Sequence, residues 1–153
     1  MAYVSGPERH WSTQRRREGV ERALAAAGLP LAPELVLLGQ WSEAWGRAAA
    51  ARLLRRDPEV DGVVCGSDQI ARGVADGLRE ADAEVPGQVA IVGFDNWDVM
   101  VEAARPPLTT VDPNLTTLGR LAATRLMDAI DGRDLPSGVH LQPCDLILRQ
   151  SSV

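Results

Sequence analysis

The chain is poor in several residue types, and each shortage excludes something. It has two cysteines, one phenylalanine and one tyrosine in 153 residues. Two isolated cysteines make neither a metal site nor a disulfide framework. Cys65 and Cys144 each fall in an apolar, strand-like setting and read as buried thiols in a reducing compartment. Positive charge is in deficit, with a formal net charge of -5 and a pI near 5.0. Gripping nucleic acid needs a basic face, so this segment is not expected to bind DNA by itself. No apolar run reaches the length of a membrane span. The opening "MAYVSGPERHW" has no basic region followed by an apolar one, so a cytoplasmic location without a membrane partner is expected. Catalytic signatures are missing too. There is no G-x-G-x-x-G, phosphate-binding loop or Ser-His-Asp set, and His10 and His140 read as isolated surface residues without partners. A phospho-acceptor domain would cluster acidic residues after its first strand, where this chain has Ser5-Gly6-Pro7. No enzyme and no cofactor are expected.

What is present is an ordinary globular composition, 45% hydrophobic and 24% charged, in a chain long enough for one real core. Extended and helical patterns alternate. Strand-like runs occupy 2–5, 34–39, 60–65, 85–94, 108–111 and 144–150. Helical spacing occupies 12–28, 42–58, 67–81, 95–104 and 115–132, and 131–143 is a loop. Ser42 caps the second helix, which closes before Pro58. The buried face of the third is Ile70, Ala71, Val74 and Leu78. The run Val89-Ala90-Ile91-Val92 is apolar on both faces, as in parallel sheets covered on both sides. The expected fold class is α/β, a doubly wound, mainly parallel sheet flanked by helices.

In such sheets ligands bind outside the carboxyl ends of the strands. Ser67-Asp68 and Asp95-Asn96 both fall at such ends and together make a polar crevice able to accept hydrogen bonds from hydroxyls. The stretch "VPGQVAIVGFDNWDVMVEAARPPLTTV" (85–111) combines this acidic strand tip with a double proline leading into another extended run. Together with "VSGPERHWSTQRRREGVERAL" (4–24), "GQWSEAWGRAAAARLL" (39–54), "VDGVVCGSDQIARGVADGLREA" (60–81), "LGRLAATRLMDAIDG" (118–132) and "CDLILRQSS" (144–152), it resembles the effector-binding core of LacI-type (lactose-repressor family) transcriptional regulators.

The resemblance carries expectations. Residues 1–112 correspond to the C-terminal lobe of a periplasmic-binding-protein-like core. Residues 113–135 correspond to a crossover helix that in the family belongs to the N-terminal lobe, and 136–153 to a returning strand. The helix-turn-helix DNA-binding domain has no counterpart. The implied function is sensing of a small effector, a sugar or sugar derivative, within a homodimeric regulator that reaches operator DNA only through the missing domain. A stand-alone sugar-binding protein, or a headless interaction partner, is the alternative. Helix 69–81 and segment 96–105 are the candidate dimer surfaces.

Arg16, Asp95, Ser67, Asp68 and Trp41 match the family's ligand-contacting positions. Arg16 stands in line with Val20, Ala23 and Ala27, so it is expected to point inward, where its planar fork suits sugar oxygens. Asp95 can accept hydroxyl hydrogen bonds, cap helix 96–104, or do both, since a carboxylate has several acceptor positions. Asp68 can contact ligand, or instead cap helix 69–81. Trp41 can stack on a sugar face, or pack in the core. Trp45 reads as core, while Trp11 and Trp97 could line the cleft. Pro113 departs from the pattern at a position where many relatives carry a polar ligand contact. The helix at 115–131 turns Leu118, Ala122, Leu126, Ala129 and Ile130 to one face, expected to pack on its own lobe or on a second chain, since each buried side chain is worth about 1.5–3 kcal/mol.

Overall fold

The doubly apolar run lies in the middle of a six-stranded sheet in the computed structural model, which describes residues 1–153. The strands are β1 (Ala2–Ser5), β2 (Val36–Leu38), β3 (Gly62–Cys65), β4 (Ala90–Phe94), β5 (Thr109–Asp112) and β6 (Asp145–Ile147). Their spatial order is β2-β1-β3-β4-β5-β6. The first five are parallel and β6 runs antiparallel beside β5, with Val111 opposite Leu146. The chain leaves β1 for β2 on one side and returns to β3 on the other. The crevice between β1 and β3 is therefore the topological switch point, where this class of sheet binds ligands.

The helices are α1 (Trp11–Ala26), α2 (Glu43–Arg56), α3 (Asp68–Glu80), α4 (Asp98–Val101) and α5 (Leu115–Ile130). One sheet face carries Ala2, Val4, Leu37, Val63, Cys65 and Ile91. These residues form a single buried cluster with Ala49, Ala50 and Leu53 of α2 and Ile70, Ala71, Val74 and Leu78 of α3. The opposite face is covered less fully. Tyr3 is buried and its hydroxyl donates to the Thr13 carbonyl of α1, but Val64, Val92 and Phe94 are only half-buried. The tail closes the joint between β4 and β5. The buried Ser151 hydroxyl accepts from the Thr109 amide and donates to the Ile91 carbonyl, standing in for ladder bonds.

Several expectations change. The strand expected over 85–94 begins only at Ala90, and 34–39 opens with a 3₁₀ turn, Pro33–Leu35. The helix expected over 95–104 shrinks to Asp98–Val101. Cys65 is buried, as expected, but Cys144 is exposed, because it precedes the short β6 rather than lying within it. Ala23 and Ala27 are exposed, since α1 buries Thr13 and Leu24 instead. The largest change is α5. Not one of its residues is buried, and Leu118, Leu126 and Ile130 are 41, 63 and 68% exposed. The expectation that α5 packs on its own lobe is overturned. No helix is long and apolar enough to cross a membrane.

Candidate functional site

Three strand tips meet at the switch point. Behind β1 the chain turns at Gly6, so close to Trp41 that a Cβ on this residue would lie 2.1 Å from the indole ring. Behind β3 come Gly66 and Ser67. The Ser67 hydroxyl accepts from the Ile70 amide and caps α3, so Ser67, not Asp68, is the helix cap. Behind β4 the chain turns sharply through Asp95 and Asn96, both at positive φ (115° and 50°). Asparagine tolerates the left-handed region, but an aspartate at 115° does so only when its surroundings hold it there.

Arg16 reaches this point from the second turn of α1. Its guanidinium lies 3.6 Å from the centre of the Phe94 ring, donates to the Gly66 carbonyl and stands 3.4 Å from Asp95 Oδ1. It therefore ties α1 to the tips of β3 and β4. Asp95 remains 41% exposed beside it. Burial pushes the Asp95 carboxyl above its ordinary value, and the Arg16 charge and hydrogen bond oppose that shift. Asp95 caps no helix, since α4 begins behind Trp97 without a side-chain cap.

A cleft of about 420 Å³ opens from Asp95. Asn96, Trp97, Asp112 and Asn114 continue it, and the first turn of α5, Leu115 to Thr117, closes it. Its floor is a polar lattice. Asn96 Nδ2 donates to Asp112 Oδ2 (3.0 Å), Arg149 donates to Asn96 Oδ1 (3.0 Å) and the Asn114 amide donates to Asp112 Oδ1 (2.7 Å). The site thus joins the strand tips to the β5–α5 connection and to the segment that follows β6. No group of His, Cys, Asp and Glu side chains is placed to hold a metal.

The family described as "Periplasmic binding protein-like domain" matches residues 1–152. The chain belongs to this family. Its curated relatives include the HTH-type transcriptional repressor CytR of Escherichia coli K12, 32% identical over 97% of this chain and 43% of that protein. The HTH-type regulator CelR of Thermobifida fusca is 36% identical over 99% of the chain and 44% of its own length. Among solved structures, a CelR-cellobiose complex superposes with a TM-score of 0.86 at 34% identity, covering 99% of this chain and 46% of that one. These matches are LacI-type regulators, and the chain spans less than half the length of the curated relatives it matches. As a periplasmic binding protein-like domain it covers the C-terminal part of their core.

Arg16 and Asp95 stand together in this domain. Ser67 lies beside them, only 7% exposed and occupied by its cap. Asp68 is fully buried, with both carboxylate oxygens taken by Trp97 and Thr110, so it offers nothing to a ligand directly. Trp41 lies over Gly6 and donates from Nε1 to His10 Nδ1 at 2.8 Å, with the two rings stacked 6.0 Å apart. His10 therefore has a partner, contrary to expectation. No hydrogen bond joins Trp41 to Arg16 or Asp95. Trp45 packs against the core and donates to the Ser5 carbonyl. Trp97 lines the cleft and is 53% exposed, while Trp11 lies outside it, 70% exposed, beside Arg15. Asp112, Asn114 and Arg149 carry no signal in the sequence. Each is a single polar residue beside an apolar run, and only the sheet order brings them to Asn96.

Proposed function

We propose that this chain is the effector-sensing lobe of a LacI-type DNA-binding transcriptional regulator, and that its ligand is a sugar or similar polyol. The observation that supports this reading most is the Arg16–Asp95 pair at the switch point, open to a cleft whose far wall is α5. A half-exposed carboxylate accepts hydrogen bonds from two vicinal hydroxyls, and charged bonds of this kind are worth about 1.5–3 kcal/mol each. The guanidinium beside it supplies donors to the remaining sugar oxygens. Trp97, half-exposed in the cleft, offers an apolar face to a ring.

In this reading a ligand bridges the β4 tip and the segment Asp112–Leu115. Ligand bound there has different contacts when α5 lies nearer to or further from the strand tips, and that difference in affinity is what a regulator needs. α5 turns its apolar side away from this lobe, toward the second lobe of the relatives' greater length. Operator contact resides in that remaining length as well. Val99, exposed and outside the cleft, puts apolar surface on segment 96–105, which suits it to a homodimer contact better than helix 69–81. The outer side of that helix carries Arg72, Asp76 and Arg79 in ion pairs.

The test is a titration of the ¹⁵N-labelled chain with cellobiose and then with a panel of mono- and disaccharides. One sugar should shift the amides of Asp95, Asn96 and Asn114 with a Kd on the order of millimolar, weak for a chain that spans less than half the length of its relatives. Asp95→Ala and Arg16→Ala should each abolish the shift. A panel that leaves those amides unmoved overturns the reading.

A further inference from the structure

Asp68 has no part in binding as described above, yet it lies directly under the residue that has the largest part. It is fully buried. Its Oδ2 accepts from the Trp97 amide at 2.8 Å, and its Oδ1 accepts from the Thr110 hydroxyl at 2.5 Å. The Thr110 oxygen in turn accepts from the Asn96 amide at 3.4 Å. One carboxylate thus holds two successive amides of the turn that follows Asp95, one directly and one through Thr110. Its seat is shaped for it: a Cβ on Gly93 would lie 2.2 Å from Asp68 Oδ1.

The turn needs holding. Asp95 and Asn96 are consecutive non-glycine residues at positive φ, an arrangement that persists only where neighbours over-determine it. From above, Arg149 and Asp112 grip the Asn96 side chain. From below, the grip is Asp68. We infer that Asp68 is a positioning residue: its carboxylate fixes the backbone that aims Asp95 into the cleft, and it does not itself meet the ligand.

The groups around Asp68 make this role sensitive to its charge. Burial raises its pKa most, to about 6, with Asp95 pushing the same way. The Thr110 hydroxyl, the Trp97 amide and Arg149 oppose the shift. Cys65 lies alongside on β3, its thiol itself raised by burial and by Asp68. Arg16 is occupied by Asp95 and Gly66, and Arg72 of α3 by Glu43 and the Val99 carbonyl. Above the transition the carboxylate accepts both bonds. Once protonated toward Thr110 it must donate there, and the Thr110 hydroxyl proton loses its acceptor. An amide at this position is locked in that donor state at every pH.

The inference rests on the proposed role of Asp95, so its test is made without sugar, and the failure of one is distinguishable from the failure of the other. Amide spectra of the ¹⁵N-labelled chain are recorded between about pH 4.5 and 8, bracketing the expected transition. The Trp97 amide proton should titrate with a midpoint near 6 in the unaltered chain. In Asp68→Asn it should be flat. In Asp95→Asn it should still titrate, with a lower midpoint. Thr110→Val should raise the midpoint and speed hydrogen exchange at Asn96 by about 2- to 12-fold, the loss of one ordinary hydrogen bond. If Asp68→Asn does not fold, the unaltered chain and Thr110→Val carry the test. A Trp97 amide whose shift and pH dependence are the same in Asp68→Asn as in the unaltered chain, or Asn96 exchange that Thr110→Val leaves unchanged, overturns the inference.

Discussion

Helices α3 and α5 both repeat apolar residues at helical spacing, yet eight of the thirteen residues of α3 are buried and none of the sixteen of α5. α3 finds its cover close by, in α2, β3 and β4. The stretch from α5 to β6 finds none. Leu115, Leu126, Met127 and Ile130 of the helix, Val139 and Leu141 of the loop, and Leu146 and Leu148 around β6 are all more than half exposed. Apolar surface of this extent marks a place where something else packs. An amphipathic stripe therefore states that a helix has a partner, and leaves open whether the same lobe supplies it.

The contrast is sharpest on truncation. Leu78→Ala removes a fully buried side chain of α3 and should cost about 2–5 kcal/mol in urea unfolding. Leu126→Ala on α5 should change the same measurement by less than about 0.5 kcal/mol, as surface substitutions do. Comparable losses in the two variants would mean that α5 is packed on this lobe in solution. In a longer form of the protein that includes a second lobe, Leu126→Ala should become as costly as a core truncation.

Next in size is the seam between α2 and α3. A Cβ on Gly73 would lie 2.0 Å from the Glu43 carbonyl oxygen, a backbone atom that cannot swing aside. Gly73→Ala should therefore force the helices apart and cost about 1–3 kcal/mol, although alanine is the better helix former. An unchanged urea midpoint would show that the two backbones lie further apart in solution.

This contrast also shows what could be read in advance. The strands and the α3 core were legible because their periodicity and their partners lie within about 30 residues along the chain, the span of one βαβ unit. The crevice was legible because strand ends carry ligands in this topology, and Arg16 and Asp95 do meet there. The lattice of Asn96, Asp112, Asn114 and Arg149 was not. It assembles residues from β4, β5 and the tail, and no spacing announces that Arg149 will fold back on Asn96. The demotion of Asp68 was equally hidden. Ser67-Asp68 reads as two adjacent polar groups at a strand tip, but the first turn of α3 points one hydroxyl along the helix and buries the neighbouring carboxylate.

Burial of Asp68 has a stability consequence of its own, smaller than those above. Its folded pKa of about 6 stands above the ordinary aspartate value of 3.8. Between those values the folded chain holds more protons than the unfolded one, so stability falls as pH rises through that window. Asp95, also raised, acts in the same direction. Asp68→Asn removes this penalty. It should stabilise the chain by about 1–2 kcal/mol at neutral pH and leave it nearly unchanged at pH ~3.5, where the carboxyl is largely protonated in both states. Chemical unfolding at the two pH values reads the difference. A destabilised variant at neutral pH would mean that the two bonds made by the carboxylate outweigh its desolvation.

The smallest expected effect returns to α5. A methyl group added at Gly119 would have no atom within 4 Å apart from its own helix backbone, so only the helix itself responds. Gly119→Ala should favour the helical state by about 0.5–1 kcal/mol. With little tertiary packing to pass this on, the global unfolding midpoint should stay put. The gain should instead appear as amide exchange slowed about 2- to 5-fold along α5, together with a small rise in helical circular dichroism. Sixteen residues without a side-chain cap at Asn114 make a helix of marginal independent stability, so this signal is measurable. A shift of the global midpoint in Gly119→Ala would couple α5 to the core and erase the difference between the two helices. Slowed exchange confined to α5 would establish it as a separate unit, free to follow whatever covers its apolar face.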